Sequence, residues 1–309
     1  MIRDGRRAPR AARLREMSTR VVTWAVLVLA SVLWALTPAG AQSSPSGAAS
    51  NGGWFQVTRV PELLGILLSI FVMWGATRLV RRGREPKLRS LPGLDAIGDA
   101  LGRATEQGSP VVYVTGWGGD MGRPTTMASM TILSDVAQRA AEYNCRLLFP
   151  SHDPVVASVA QETVAQAAVA AGRPDWYRAD DVTFVSQSQL GYAAAVDGLM
   201  VRERPGAVFL LGTFEGEALI LAETAHQTGA VTIAGSDSTI QLSFFLVACD
   251  YTLIGEELFT ASGMVSKDKA ATASVWAQDW LKYVVIAFLL TGAGLLLALH
   301  YDLSTWIKG

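Results

Sequence analysis

Lysine is missing from the middle of this chain. None occurs between Lys87 and Lys267, so that stretch uses arginine as its strong cation. A phosphate-binding loop of the G-K-[ST] type needs a lysine to reach the outer phosphates, and Schiff-base chemistry needs a lysine amine. Both are excluded from the central region. Cysteine is scarce as well: Cys145 and Cys249 are the only two, and no C-x-x-C pair exists. Neither a disulfide framework nor a cysteine zinc site is supported. Histidine is confined to His152, His226 and His300, with no H-x-x-x-H pair to hold a transition metal. Charged residues make up 17% of the chain and the net charge is −1, so global charge predicts no nucleic-acid partner.

Apolar residues are abundant, at 50% of 309 positions, a level that suits membrane segments together with a buried parallel sheet. Residues 1–41 read as an export signal peptide: arginines crowd the start, Val21–Leu36 is apolar, and Ala39-Gly40-Ala41 fits a small-residue cleavage site. The same segment also suits an uncleaved first membrane helix. Residues 42–59, rich in serine, glycine and alanine, read as a flexible external linker ending near the interfacial Trp54 and Phe55.

Residues 60–80 are expected to span a membrane, because Leu63–Thr77 is uncharged. Arg78, Arg81, Arg82, Arg84, Lys87 and Arg89 follow, so the positive-inside rule puts the next domain in the cytoplasm. A second span is expected at 281–300, centred on Tyr283–Leu299, with Lys267, Lys269 and Lys282 on its near side and Lys308 beyond. Residues 301–309 would then be a short external tail. Both spans set the domain at 81–275 on the cytoplasmic face of an inner (plasma) membrane.

Between the spans, short apolar runs alternate with helical patterns. Leu94, Ile97, Leu101 and Ala104 have helical spacing, stopped by Gly108-Ser109-Pro110. Strands are expected at Val111–Thr115, Cys145–Phe149, Val182–Val185, Ala207–Leu211, Val231–Ala234 and Tyr251–Ile254. Helices are expected at about Thr125–Tyr143, Pro154–Ala171, Gln189–Asp197 and Glu215–Gln227, with another starting at Glu256. This alternation predicts an α/β fold, a doubly wound and mainly parallel Rossmann-like sheet, flanked by N- and C-terminal transmembrane helices.

The runs G-R-E-P-K-L-R-S-L-P-G-L-D-A-I-G-D-A (Gly83–Ala100), P-S-H-D-P-V-V-A-S-V-A-Q-E (Pro150–Glu162), V-D-G-L-M-V-R-E-R-P-G-A-V-F-L-L-G (Val196–Gly212) and A-C-D-Y-T-L-I-G-E-E-L-F (Ala248–Phe259) carry a resemblance. The chain resembles a bacterial membrane-protein family known only as a domain of unknown function. The resemblance covers Gly83–Val265 and the flanking spans. It implies two-helix anchoring around a Rossmann-like cytoplasmic body, and it brings no activity and no catalytic residue.

The pivot of the domain is Val111–Thr126, where a β-branched run ends in Gly116, Gly118, Gly119 and Gly122 before a helix begins. Strand, tight loop and helix N-terminus is where α/β proteins hold ligands. The spacing Gly116-x-Gly118-x-x-x-Gly122 is one residue longer than the dinucleotide fingerprint, and no acid stands where a ribose partner is needed: Glu142 falls on a helix and Asp153 comes late. A tight turn needing positive φ explains the glycines better. Gly118-Gly119 with Ser151 has the spacing of an oxyanion loop and nucleophile, but no lysine base exists and His152 adjoins the serine. Arg202-Glu203-Arg204-Pro205 reads as a solvated loop, and His226 as a cation at a helix C-terminus.

The strand C-termini remain the expected ligand rim. They carry Asp120, Ser151, His152, Asp153, Ser186, Gln187, Thr213, Glu215, Glu217, Ser236 and Asp237. The candidate binding residues are Gly116, Gly118, Gly119, Asp120, Ser151, Asp153, Thr213, Glu215, Ser236 and Asp237, weighed against helix capping by the same side chains. No catalytic set is complete, no metal ligands are assigned, and no cofactor is specified. The sequence therefore favours a membrane-anchored binding or scaffold domain, part of a membrane complex through other subunits or self-association. The alternative is a tethered enzyme or sensor taking a nucleotide or small polar ligand at the rim.

Overall fold

The computed structural model describes residues 60–81, 90–266, 273–287 and 289–291. The segments read as signal, linker and tail, the basic stretch Arg82–Arg89 and the far end of the second apolar run lie outside them. The chain divides into two units, Thr77–Val275 and a second made of Met1–Ala76 with Trp276–Gly309. The elements in order are α1 (Val60–Arg81), α2 (Pro92–Gln107), β1 (Val111–Val114), α3 (Pro124–Glu142), β2 (Leu147–Ser151), α4 (Pro154–Ala170), β3 (Val182–Phe184) and α5 (Gln189–Glu203). Then come β4 (Ala207–Leu211), α6 (Ala218–Gln227), β5 (Val231–Ser236), α7 (Thr239–Ala248), β6 (Tyr251–Ile254) and α8 (Glu256–Val265). A last helix, α9, runs over Ala273–Thr291.

The six strands form one sheet in the order β3-β2-β1-β4-β5-β6, and every pairing is parallel. Parallel strands need crossovers, which put helices on both faces and bury the strands on both sides. Period-2 alternation then divides the core. Tyr113, Phe149, Phe209 and Ile233 point to the face covered by α2, α3, α4 and α8. Val112, Leu148, Val208 and Leu210 point to the other, under α5, α6 and α7. Tyr113 lies between Phe149 and Phe209, with ring centroids 6.0 and 5.9 Å away. Its hydroxyl donates to Ser129 O at 2.7 Å, and Ser129 Oγ donates to Leu211 O at 2.5 Å, so a polar clamp ties α3 to β1 and β4 inside the core.

Several boundaries differ from the sequence reading. The second strand begins at Leu147, not Cys145, because Asn144 turns back at φ 57° and Cys145 N–H closes on Ala140 O. Arg202 and Glu203 belong to α5 rather than to a loop. Arg204 ends that helix in the left-handed conformation, its N–H held by Met200 O at 2.9 Å. Glu203 also accepts from Arg146, which pairs with the buried Asp181 at 2.6 Å. α6 starts at Ala218, three residues after the expected Glu215, for a reason that belongs to the site. Both cysteines are free thiols, and burial pushes the Cys249 thiol up to about 12.

Candidate functional site

The strand order reverses direction between β1 and β4. In open parallel sheets the crevice outside such a reversal is the ordinary ligand position, because the loops on either side leave in opposite directions. Here the two loops meet. Gly118 N–H donates to Thr213 O at 3.1 Å, joining the loop after β1 to the loop after β4. Gly116 sits at φ 79°, and a Cβ there would run into Thr213 O. One on Gly118 would lie 2.9 Å from Thr213 Cγ2, and one on Gly119 2.9 Å from Thr126 Oγ1. The glycines therefore allow close backbone packing, and the loop is a filled turn. Asp120 closes it, accepting from Gly122 N–H at 2.8 Å.

The centre of the rim is Glu217, 2% exposed. Its Oε1 accepts from Trp117 N–H at 2.8 Å and from Glu215 N–H at 3.2 Å, and its Oε2 accepts from Gln189 Nε2 at 2.8 Å. One carboxylate thus joins the β1 loop, the β4 loop and the first turn of α5. Using its carboxylate this way, Glu217 folds 215–217 into a turn and delays the start of α6. Trp117 adds a donor bond from Nε1 to Gln187 O at 2.8 Å.

His152 lies beside this hub. Its ring centroid is 6.3 Å from Trp117 and 5.6 Å from Tyr192, and its buried Nδ1 has no hydrogen-bond partner. Burial lowers its pKa below the usual 6.5, against the opposing pull of Asp153, Glu217 and Asp120 and a backbone hydrogen bond at Gly116. The imidazole is neutral near pH 7. It can accept a hydrogen bond but is not paired with a nucleophile, because Ser151 Oγ is engaged with the Asp153 backbone at 2.9 and 3.2 Å.

The remaining sequence candidates have local duties. Asp153 caps α4, accepting from Val155 N–H at 2.6 Å and Val156 N–H at 3.3 Å. Ser236 Oγ accepts from Ser238 N–H at 3.3 Å, and Asp237 accepts from Thr125 Oγ1 at 2.8 Å, bringing a carboxylate to the N-terminus of α3. Glu215 is exposed and contributes its backbone. Thr213 is buried with an unpartnered hydroxyl, as are Thr115 and Thr126 around the same loop. The structure gathers Gly116, Gly118, Gly119, Thr213 and Glu215 at the reversal point, and leaves Ser151, Asp153, Ser236 and Asp237 in turns and caps at its sides. Nothing in the sequence assigns Trp117, Gln189 or Tyr192 to the rim. Glu217 stands out in the sequence only as a rim residue, and His152 only as a rim residue adjoining Ser151, since burial of a polar side chain has no local signature. Among the described residues no three histidine, cysteine or acidic side chains gather as metal ligands.

An open cleft of about 490 Å³ lies at the opposite end of the sheet, lined by Arg103, His226, Gly229, Val231, Asp250 and Tyr251.

These features define an α/β protein with a six-stranded all-parallel sheet and a polar rim closed by a buried carboxylate. The chain belongs to the family described as Domain of unknown function (DUF6754), which matches residues 50–306. Comparison with curated proteins gave no match, and comparison with solved structures gave none either.

Proposed function

We propose that this chain is a membrane-anchored binding or scaffold protein whose Rossmann-like domain faces the cytoplasm and works within a larger membrane assembly. The observation that carries the reading is the pair of exposed apolar faces on the helices that precede and follow the α/β domain in the chain. On α1, Ile66, Leu67, Ile70 and Phe71 are exposed; on α9, Tyr283, Ile286, Leu289 and Leu290 are. Apolar stripes of that length in water are costly and in lipid are not. By length and composition α9 can cross a bilayer, and α1 contains the shorter apolar segment Gly65–Val80. The basic residues at 78–89 and the lysines before α9 support a cytoplasmic domain. The Glu217 carboxylate already serves three protein donors, so it holds the loops together, which supports a scaffold role for the domain. Alkaline carbonate extraction followed by crosslinking in native membranes tests this: retention in the pellet and a discrete crosslinked species are expected. A chain released by carbonate, or strictly monomeric with no partner, overturns it.

A second reading has its own support. The buried, unpartnered Thr115, Thr126 and Thr213 hydroxyls and His152 Nδ1 suit a small polar ligand at the rim, since an unsatisfied buried polar group costs about 1–3 kcal/mol. Thermal-shift screening of the full chain in detergent against nucleotides, metals and metabolites tests it. Stabilisation that disappears in Thr126→Val and Thr213→Val supports a rim ligand, and the lack of any stabilising compound counts against it.

A further inference from the structure

Helix α7 presents an apolar stripe that the fold does not use. Ile240, Phe244 and Val247 recur at i, i+4 and i+7 and so share one face, while Leu242 and Phe245 fill the core from the other. Ile240 is 69% and Val247 89% exposed, and Leu246 beside them is exposed too. No charged residue occurs from Ser238 to Cys249. Exposed contiguous apolar surface on a folded domain marks an interaction face.

The position of α7 suggests what covers it. The helix packs on β5 and on the edge strand β6, and Thr252 Oγ1 donates to Phe245 O at 3.4 Å. Tyr251 and Ile254 on that edge are exposed. The start of α2 sits on the same edge: a Cβ on Gly93 would lie 3.0 Å from Leu253 Cδ2 and 3.9 Å from Tyr251 Cβ. Residues 82–91 link α1 to α2, so the link reaches at most roughly 35 Å at about 3.5 Å per residue. The link from α8 to α9 is shorter still, roughly 25 Å at most by the same measure. The first link carries Arg82, Arg84, Lys87 and Arg89, which attract anionic headgroups. If α1 spans the bilayer, the covalent connection limits the start of α2, which packs on the β6 edge, to that roughly 35 Å from the end of α1.

We propose that α7 and the β6 edge rest on the bilayer, with Ile240, Phe244 and Val247 in the boundary between headgroups and acyl chains. Uncharged apolar side chains need no complementary partner there, and their burial against lipid follows the same area rule as a core. The proposal rests on the anchored reading above, and its test separates the two.

The full chain carrying Cys249→Ala, with Cys145 left buried and unreactive, would be spin-labelled at Val247→Cys and, separately, at Ile240→Cys. Reference sites are Val169→Cys on α4, which packs at the β3 end of the sheet and is 65% exposed there, and Ile70→Cys on α1. Each is reconstituted in phosphatidylethanolamine–phosphatidylglycerol vesicles, and accessibility to oxygen and to a water-soluble nickel chelate is read by electron paramagnetic resonance. The expected result is an oxygen-to-nickel ratio severalfold higher at 247 and 240 than at 169, and high at 70. A water-like ratio at 247 and 240 with a lipid-like ratio at 70 overturns the docking and keeps the anchor. Protection from both reagents at 247 and 240 overturns it in favour of a protein partner. A water-like ratio at 70 removes the anchor and the docking together.

Discussion

Glu217 shows how much one side chain decides at this rim. Replacing it with alanine strips the acceptor from Trp117 N–H, Glu215 N–H and the Gln189 amide at once. The expected loss is about 2–4 kcal/mol, below three times the roughly 1–3 kcal/mol of a fully buried unsatisfied group, because the three bonds are only partly buried and the freed donors can reach water. Chemical unfolding in detergent measures it, and Glu217→Gln is expected to lose less because its carbonyl oxygen still accepts. Gly116 makes a second prediction by contrast with Gly172. Both have positive φ, 79° and 74°, but a Cβ on Gly172 meets nothing within 4 Å while one on Gly116 meets Thr213 O. Gly172→Ala is expected to cost about 1–2 kcal/mol of left-handed strain. Gly116→Ala should cost distinctly more, and equal melting temperatures would disprove the close approach. His152 sets a pH dependence. Its folded pKa is lowered, so the unfolded chain takes up the proton first. Stability is full above the ordinary pKa of 6.5 and falls as the pH drops below it towards the folded value. Unfolding midpoints recorded between pH 7 and about 5, above the carboxylate range, should show that fall, and His152→Gln should flatten it.

At the scale of elements, the clamp between α3 and the sheet is the clearest dependency. Ser129→Ala removes the donor to Leu211 O and the contact with the Tyr113 hydroxyl. It is expected to lower stability by about 1–2 kcal/mol, the cost of buried polar groups left unpaired; a calorimetric melt checks it. The same scale shows what was legible. Strand apolarity and helical spacing located all the strands and most of the helices, because period is a local property. The ends were less legible. Asn144 and Arg204 turn through the left-handed region without being glycine, and Glu217 delays α6 through a contact a hundred residues away at Trp117. Strand ends and glycines locate the junction of the two loops, but they do not show which of its polar side chains are buried. Asp153, Ser151 and Ser236 have capping chemistry in the sequence and act locally, whereas Glu217 and His152 owe their importance to burial.

For the whole molecule, strand order and the two bracketing helices govern. The order β3-β2-β1-β4-β5-β6 puts the reversal at β1 and β4 and sends α7 to the edge. On the anchored reading, either helix alone holds the domain to the bilayer. Removing residues 273–309 should leave the chain in the membrane pellet, and removing residues 1–89 as well should release it. A domain that pellets without either helix would overturn the reading that these helices are what hold it to the membrane.

By itself the sequence determined the alternation of strand and helix, the glycine turn, the lack of lysine chemistry in the centre and the placement of apolar helices on both sides. Those are statements about neighbours in the chain, and residue type with spacing carries them. Only the tertiary structure decided which strands lie side by side, that Gly116–Gly122 is packed against Thr213, and that Glu217 is the buried hub of three segments. Nearly uniform apolar strands do not encode their partners, and a carboxylate looks the same in sequence whether water or three donors surround it.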